Sequence, residues 1–506
     1  MMIMRWLLLK DKQLLVAVGG RDLPALGQTF TVKDVPVTVY RHDYQTWRAI
    51  TREYPDAPSP IIYYGWPGRF EPRQHQLETI DFFVRYDKCF CLDDLGTGKT
   101  LSAIWAAEFL MTNNEVRRVL VIAPLSITRH VWLRELELTL PHRTAAVVCG
   151  TKQQKIEIAN DTSINWVVIN PDSLHVVKDS LSDVDLVIVD EFTKFKTRNT
   201  RRYKALRHIA KDRRLWLMSG TPAPQAPTDA YAPIRLVNEN IIPFINFRDL
   251  TMERAGQFRW IPRENAAAII AQYMRPAIRH ARDACYDIPE VATETVNVDT
   301  TKQQENALNE LYTQMRTTID KSTITAANAA VVLGKALQIL AGVVKNEDGD
   351  AVGVDTTPTM DTIERIIEQS RTPVLVFTSF RYPAKKITEH LKSCGYRAAC
   401  VLGGTPDNSK IFDAVQARQL DAVVAVPGTM SHGLTLTSAA TVVWITPPFS
   451  YETYMQANGR VVRQGQTHKV VIYHLVHGEL DKQMFGRLET RKLLQDVVLD
   501  IIEGRI

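Results

Sequence analysis

The run Asp93-Asp94-Leu95-Gly96-Thr97-Gly98-Lys99-Thr100 constrains this chain more than any other feature. It follows an apolar stretch, Cys89-Phe90-Cys91-Leu92, and precedes Leu101-Ser102-Ala103-Ile104-Trp105-Ala106-Ala107, which has helical character. A strand, a glycine-rich turn and a helix in that order make a phosphate cradle. Gly96 and Gly98 let the backbone approach an anion, the N–H groups at the helix start point at it, Lys99 adds a point charge, and the Thr100 hydroxyl can ligate Mg2+. The strict phosphate-loop pattern has glycine where Asp93 stands, so the match is partial, but its Gly-x-Gly-Lys-Thr core is intact. The expectation is a nucleotide hydrolase whose nucleotide is held by Gly96, Thr97, Gly98, Lys99 and Thr100.

Other residues gain meaning from that cradle. Val187-Ile188-Val189-Asp190-Glu191 reads as a buried strand ending in two acids. Alone they would be strand-end caps. Beside the cradle, Asp190 is expected to hold Mg2+ and Glu191 to polarise the attacking water. Leu215 to Met218 ends in Ser219-Gly220-Thr221-Pro222, whose Ser219 and Thr221 hydroxyls can sense the phosphate state and relay it. Gln76, near the start of an amphipathic helix, can offer adenine both a donor and an acceptor and so select ATP. In Gln456 to Gln466, Arg460 and Arg463 stand three apart and share a helical face, where two guanidinium forks suit triphosphate oxygens. The plain alternative for that segment is a solvated basic helix.

The remaining composition narrows the class. A chain of 506 residues with 61 Lys+Arg against 56 Asp+Glu carries a net charge of +5, which permits a nucleic-acid partner without demonstrating one. Its six cysteines (Cys89, Cys91, Cys149, Cys285, Cys394, Cys400) lack paired zinc-ligand spacing and read as buried thiols in a reducing compartment. The cluster Met1 to Leu9, broken by Arg5, is too short to span a membrane, so a cytoplasmic enzyme is expected, nucleoid-associated or in a phage-infected host.

Two series of buried-strand segments alternate with amphipathic stretches. The first comprises 118–123, 166–170, 185–190 and 215–218, and the second 373–377, 422–426, 441–445 and 470–473. The expected fold is α/β, with two lobes of parallel sheet flanked by helices. The expected organisation is a small β-rich appendage at 1–68, a first lobe at 69–240, a linker with helical protrusions and no strong strand series at 241–358, and a second lobe at 359–506. Helical patterning in the linker runs over Lys302 to Thr318 and Thr323 to Ala341.

In this order the motifs resemble those of superfamily 2 helicase-like ATPases, most closely the sucrose-nonfermenting (Snf) family of double-stranded DNA translocases and its compact bacterial and phage members. Asp93 to Thr100 looks like motif I, Val121 to Ser126 with Trp132 like motif Ia, and Asp190-Glu191-Phe192-Thr193 stands where Asp-Glu-Ala-His is usual. Ser219 to Pro222 is similar to motif III, Phe377 to Phe380 to motif IV, His432 to Thr437 to motif V, and Gln456 to Gln466, with its Gly465-Gln466, to motif VI. The resemblance implies two RecA-like lobes with ATP and Mg2+ in the cleft and DNA across the opposite groove. It implies phosphate contacts near Ser126, Thr128, Arg129, Asn170, Ser379, Thr429 and Thr437, and a coupling role for Ser219, Thr221 and Gln456. Phe192-Thr193 removes a histidine that usually links the ATP site to motif III, and Thr435 stands where Asn is commoner.

Three functions compete on this basis. The leading one is an ATP-driven motor on double-stranded DNA, with branched or single-stranded DNA as further tracks. A strand-separating DNA or RNA helicase shares every motif, and a nucleotide-gated scaffold with little turnover fits the altered second motif, although intact Lys99, Glu191 and Arg463 oppose it. Protein partners, polarity and step size are not legible.

Overall fold

The computed structural model describes residues 5–19, 26–223, 225–255, 260–319, 326–345, 350–403, 408–430 and 435–503. The β-rich start is a four-stranded antiparallel sheet. Its strands are β1 (Arg5–Leu9), β2 (Leu14–Val18), β3 (Gln28–Val32) and β4 (Val35–Arg41), in the order β1-β2-β4-β3. Lys33 and Asp34 both take positive φ, 49° and 62°, and turn the β3–β4 hairpin in the sense that suits right-twisted strands. Leu15, Ala17 and Tyr40 pack into one core with Trp47, Phe83 and Trp105, which fuses the appendage to the first lobe. Strand β1 was not foreseen, and residues 1–4 of its apolar cluster lie outside the described residues.

The first lobe is a parallel sheet. Its strands are β5 (Lys88–Cys91), β6 (Val119–Ile122), β7 (Ala145–Val147), β8 (Trp166–Ile169), β9 (Leu186–Asp190) and β10 (Arg214–Met218). A small hairpin of β11 (Met252–Arg254) and β12 (Trp260–Pro262) follows, and β13 (Ala277–Ile278) then completes the sheet in the order β13-β5-β10-β9-β6-β8-β7. Every residue of β6, β8 and β9 is buried, which explains their unbroken apolar runs. Helices cover both faces, so side chains on either side of the strand meet core. Phe90, Leu120, Val187 and Leu217 point into one cluster, and Cys89, Val121, Ile188 and Trp216 into the other.

The second lobe repeats the arrangement. Its elements are β14 (Val291–Asn297), a hairpin of β15 (Val343–Lys345) and β16 (Ala351–Gly353), then β17 (Val374–Phe377), β18 (Ala398–Val401), β19 (Ala422–Ala425), β20 (Thr441–Trp444) and β21 (Val470–Val476). The sheet order is β14-β21-β20-β17-β19-β18, with all neighbours parallel. The molecule is thus an α/β protein of two RecA-like lobes with a β-rich appendage, as its motifs led one to expect.

The stretch 241–358 differs from its reading as a strand-poor linker. Helices Lys302–Ile319 and Ala326–Leu340 form, while residues 323–325 of the second expected helix lie outside the described residues. The same stretch also supplies β13 to the first sheet and β14 to the second. A two-residue strand has no detectable period, and β14 is a mostly exposed edge strand whose Val-Ala-Thr-Glu-Thr-Val-Asn lacks a buried run. A long final helix, Glu479–Glu503, sets Phe485 and Leu488 in the second lobe's core and Ile502 against that of the first. Among the described residues no helix is long and apolar enough to cross a membrane.

Candidate nucleotide site between the lobes

In a parallel sheet the carboxyl ends of all strands open onto one edge, and there β5, β10 and β9 are neighbours. Three motifs distant in sequence therefore meet. Gly96 and Gly98 both have φ of +88°, the left-handed region open to glycine, and the helix Lys99–Thr112 starts directly after. A Cβ on Gly98 would collide with the Gln76 amide nitrogen. The Lys99 ammonium donates to the carbonyls of Asp93 and Asp94 at 2.7 and 2.8 Å, which holds it inside the loop.

Two expected nucleotide contacts also have partners within the chain. Thr97 is buried and its hydroxyl donates to the Asp94 carbonyl at 2.8 Å, so its side chain shapes the turn. Gln76 is also buried, and its Oε1 accepts the Arg73 N–H at 3.0 Å, capping the helix Gln74–Arg85. The cap uses one lone pair of Oε1 and leaves the second lone pair and the Nε2 donor for a ligand.

Asp93, the residue that departs from the phosphate-loop pattern, is a buried anchor. Its carboxylate accepts the Thr79 hydroxyl at 2.9 Å and the His280 N–H at 2.8 Å, and lies 3.0 Å from His280 Nδ1. The far nitrogen of His280 is 2.9 Å from Glu78. Burial opposes charge on Asp93, but His280, Lys99 and Thr79 together hold its carboxyl below the usual range. Burial likewise opposes charge on His280, and Asp93 and Glu78 outweigh it, raising the imidazole. Next door, Arg279 pairs with Asp94 at 2.8 Å, while Arg282 donates its N–H to Asp94 and its guanidinium to the Val462 carbonyl in the second lobe. Sequence reasoning missed His280, Arg279 and Arg282. The available signal was Asp93 itself, since a carboxylate behind a buried strand demands a partner.

On β9, the Asp190 carboxylate accepts the indole N–H of fully buried Trp132 at 2.9 Å. Glu191 takes a left-handed backbone, φ 58° and ψ 60°, a conformation that costs a non-glycine residue about 1 kcal/mol. Its carboxylate accepts the Ser219 hydroxyl at 3.0 Å, and Ser219 in turn lies 3.4 Å from the Thr221 hydroxyl. Burial raises Asp190 against the Trp132 hydrogen bond. Glu191 is pushed up to about 7, first by burial, then by the charges of Glu452 and Asp190, with Lys99 and Ser219 opposing.

That shift makes a stability prediction. A carboxyl raised from 4.5 in the unfolded chain to about 7 in the fold favours the folded state by its protonation fully below 4.5, and the benefit is lost as pH rises through 7. The neutral Glu191→Gln should therefore melt above the wild type at pH 8, and the two midpoints should converge towards pH 5. Thermal denaturation of the nucleotide-free proteins across that range checks it. A variant no more stable than wild type at pH 8 would contradict the assignment.

The second lobe closes the site. Arg460 and Arg463 stand in the turns after the helix Tyr451–Asn458, which ends before them, and not on the shared helical face expected. With Lys99, Thr100, Asp190 and Glu191 they line one cavity of about 390 Å3. Arg460 is 6% exposed, and its Nε finds no acceptor among the described residues. Burial lowers its guanidinium to about 10, Arg463 adding to the effect and Glu191 opposing it. Arg463 is lowered too, by burial and by Arg282. Two desolvated guanidinium groups and an ammonium around one cavity call for a polyanion. The oxygen donors Thr100 and Asp190 in the same wall suit a hard divalent cation such as Mg2+. Gln466, conspicuous in the sequence, is structural: its amide nitrogen donates to the Ala439 and Val461 carbonyls, and its oxygen accepts the N–H groups of Thr467 and His468.

The residues expected to touch nucleic acid are more scattered. Ser126 and Arg129 are exposed beyond β6, and Asn170 is half-buried beyond β8, its amide paired with Ser173. Ser379 and Thr429 follow β17 and β19, and Thr437 precedes β20, all half-buried. Thr128 does not fit. It is 2% exposed and its hydroxyl donates to the Leu125 carbonyl, because in its turn Ile127 and Thr128 face the core while Ser126 and Arg129 face outward. His432, Gly433 and Leu434 lie outside the described residues.

Residues 25–346 match the SNF2-related domain and 358–465 the helicase conserved C-terminal domain. Putative protein p41 of Acyrthosiphon pisum secondary endosymbiont phage 1 is 23% identical over 86% of this chain and 99% of its own length. The SWI/SNF-related matrix-associated actin-dependent regulator of chromatin subfamily A-like protein 1 of Xenopus tropicalis is 24% identical over 82% of this chain. The DNA annealing helicase and endonuclease ZRANB3 of Bos taurus is likewise 24% identical over 82% of it. The alignments span only 44% and 39% of those two proteins. Among solved structures, the Sulfolobus solfataricus SWI2/SNF2 ATPase core in complex with dsDNA is similar at 21% identity and a TM-score of 0.42, over 86% of this chain and 95% of that one.

Proposed function

Since the chain belongs to the SNF2-related family of helicase-like, nucleic-acid-dependent ATPases, we propose that it is a motor translocating on double-stranded DNA. The observation that carries this reading is the single cavity shared by Lys99, Thr100, Asp190 and Glu191 of one lobe and Arg460 and Arg463 of the other. A site built from two bodies is complete only when they are together, so binding and release of its ligand are tied to their relative movement.

In this reading Lys99 and the loop N–H groups bind the phosphates of ATP, with Gly96 and Gly98 allowing the approach. Thr100 and Asp190 would hold Mg2+, which when bound neutralises phosphate charge. Trp132 keeps the Asp190 carboxylate in one orientation. Glu191, held by Ser219, orients water and accepts its proton, and the forks of Arg460 and Arg463 stabilise charge on the transferring phosphoryl group. Ser219, Thr221 and Gln456 pass the phosphate state between the motifs. The DNA backbone would lie along Ser126, Arg129 and Asn170 on one lobe and Ser379, Thr429 and Thr437 on the other, without base readout.

The expected result is ATP-dependent displacement of a third strand from a triplex, with little unwinding of a forked duplex. Affinity should be indifferent to duplex sequence and should fall about tenfold between 50 and 200 mM salt for every two phosphates neutralised. Both substrates tested side by side decide the matter. Efficient unwinding of the fork with no triplex displacement would make the protein a strand-separating helicase instead.

A further inference from the structure

Thr193, Lys194 and Gln456 converge on one carboxylate oxygen that belongs to neither of the motifs described above. The Thr193 hydroxyl donates to Glu452 Oε1 at 3.2 Å, and the Lys194 ammonium lies 3.6 Å from the same atom. From one turn along Glu452's own helix, the Gln456 amide donates to it at 3.2 Å. The first two residues stand in the turn directly after Glu191, the other two on the helix Tyr451–Asn458. The Glu452 side chain is 13% exposed, so the contact is largely shielded from solvent.

Both ends of this contact are rigidly mounted. Phe192 and Phe195, flanking Thr193 and Lys194, are fully buried in the first lobe's core, so the hydroxyl is aimed from a fixed base. The helix bearing Glu452 ends at Gly459, and Arg460 follows at once. A Cβ on Gly459 would lie 3.0 Å from the Met455 carbonyl and 3.5 Å from Leu95 of the phosphate loop, so the helix end sits against the cradle. Fixing the helix at Glu452 therefore fixes where Arg460 stands relative to Glu191.

We propose that Glu452 is a positioning residue of the two-lobe site, tying the turn after Glu191 to the helix that ends at Arg460. Engagement of its carboxylate by both lobes brings the water-orienting acid and the arginines into working register. The proposal rests on the ATPase reading above. It assigns to Thr193, in place of the expected histidine, a contact that runs to the other lobe, whereas Ser219 bonds Glu191 directly.

A register fault of about 1 Å can slow a reaction a hundredfold, and loss of one of several constraints should do less. Glu452→Ala should lower DNA-stimulated kcat about tenfold, with the KM for ATP moved less than about twofold. Thr193→Val, which leaves the Lys194 and Gln456 contacts in place, should lose less than Glu452→Ala. Thr193→Ser should retain activity, and the double variant should be no slower than Glu452→Ala, because the Thr193 contact is already lost there. Glu452→Gln keeps an acceptor for Thr193 but loses the charge facing Lys194, and should fall between wild type and Glu452→Ala. Wild-type kcat in Glu452→Ala, or losses that multiply in the double variant, would overturn the proposal.

Hydrogen exchange gives a readout independent of turnover. Glu452→Ala should speed exchange at 192–196, and Thr193→Val should speed it at 451–458, since coupling is reciprocal. Exchange that changes only in the mutated element would also overturn it. Absence of DNA-stimulated ATP hydrolysis in the wild type would instead reject the ATPase reading, and the exchange experiment would still decide the role of Glu452.

Discussion

Glu191→Gln is expected to bind ATP about as well as the wild type and to hydrolyse it at least a hundredfold more slowly (~10²). The amide preserves shape and the Ser219 hydrogen bond, but it cannot take a proton from water. The backbone at Glu191 supports the assignment independently. A left-handed glutamate is strained, and here the strain places its carboxylate in the cavity that holds Lys99 and the two arginines. Lys99→Ala should behave differently and lose nucleotide affinity, because its ammonium sits at the centre of the loop in the ground state. Equilibrium binding of a fluorescent ATP analogue, run beside steady-state hydrolysis with and without duplex DNA, separates the two effects. Wild-type turnover in Glu191→Gln would remove it from the chemistry.

Arg463→Ala should cost about 10³-fold in DNA-stimulated kcat, a typical loss for an arginine that meets charge developing on a phosphoryl group, with a smaller change in ATP affinity. Arg463 comes from the second lobe, yet its Cβ would lie 3.7 Å from a Cβ placed on Gly96, so the arginine reaches the cradle itself. Arg463→Lys should recover only part of the rate, since an ammonium cannot reproduce the planar fork. Single-turnover hydrolysis at saturating ATP isolates the chemical step. Normal hydrolysis by Arg463→Ala in the presence of DNA would mean that the first lobe works alone.

What could be read without coordinates was local in the chain. A glycine-rich turn between strand and helix, β-branched runs that must be buried on both faces, and two arginines three apart each state their chemistry within a few residues. From these the phosphate cradle, the two parallel sheets and the residues lining the cleft could be named in advance. Gln76 carries a second local role that its spacing also announces: its oxygen accepts the Arg73 N–H, three residues away, and caps the helix.

What only the tertiary structure decided depends on pairs far apart in sequence. Asp93 is stable in place of glycine because His280 and Thr79 meet it beneath the loop. Thr128 is withdrawn from the surface because it lies with Ile127 on the side of its turn that meets the core. Strand β14 joins the second sheet solely through its pairing with β21. Thr193 finds Glu452 only because the two lobes stand together. The cradle and strands announce themselves through backbone conformation and burial, which neighbouring residues impose. Partners for buried charges and hydroxyls are chosen by whichever distant segment folding brings within hydrogen-bond range, and no spacing along the chain records that choice.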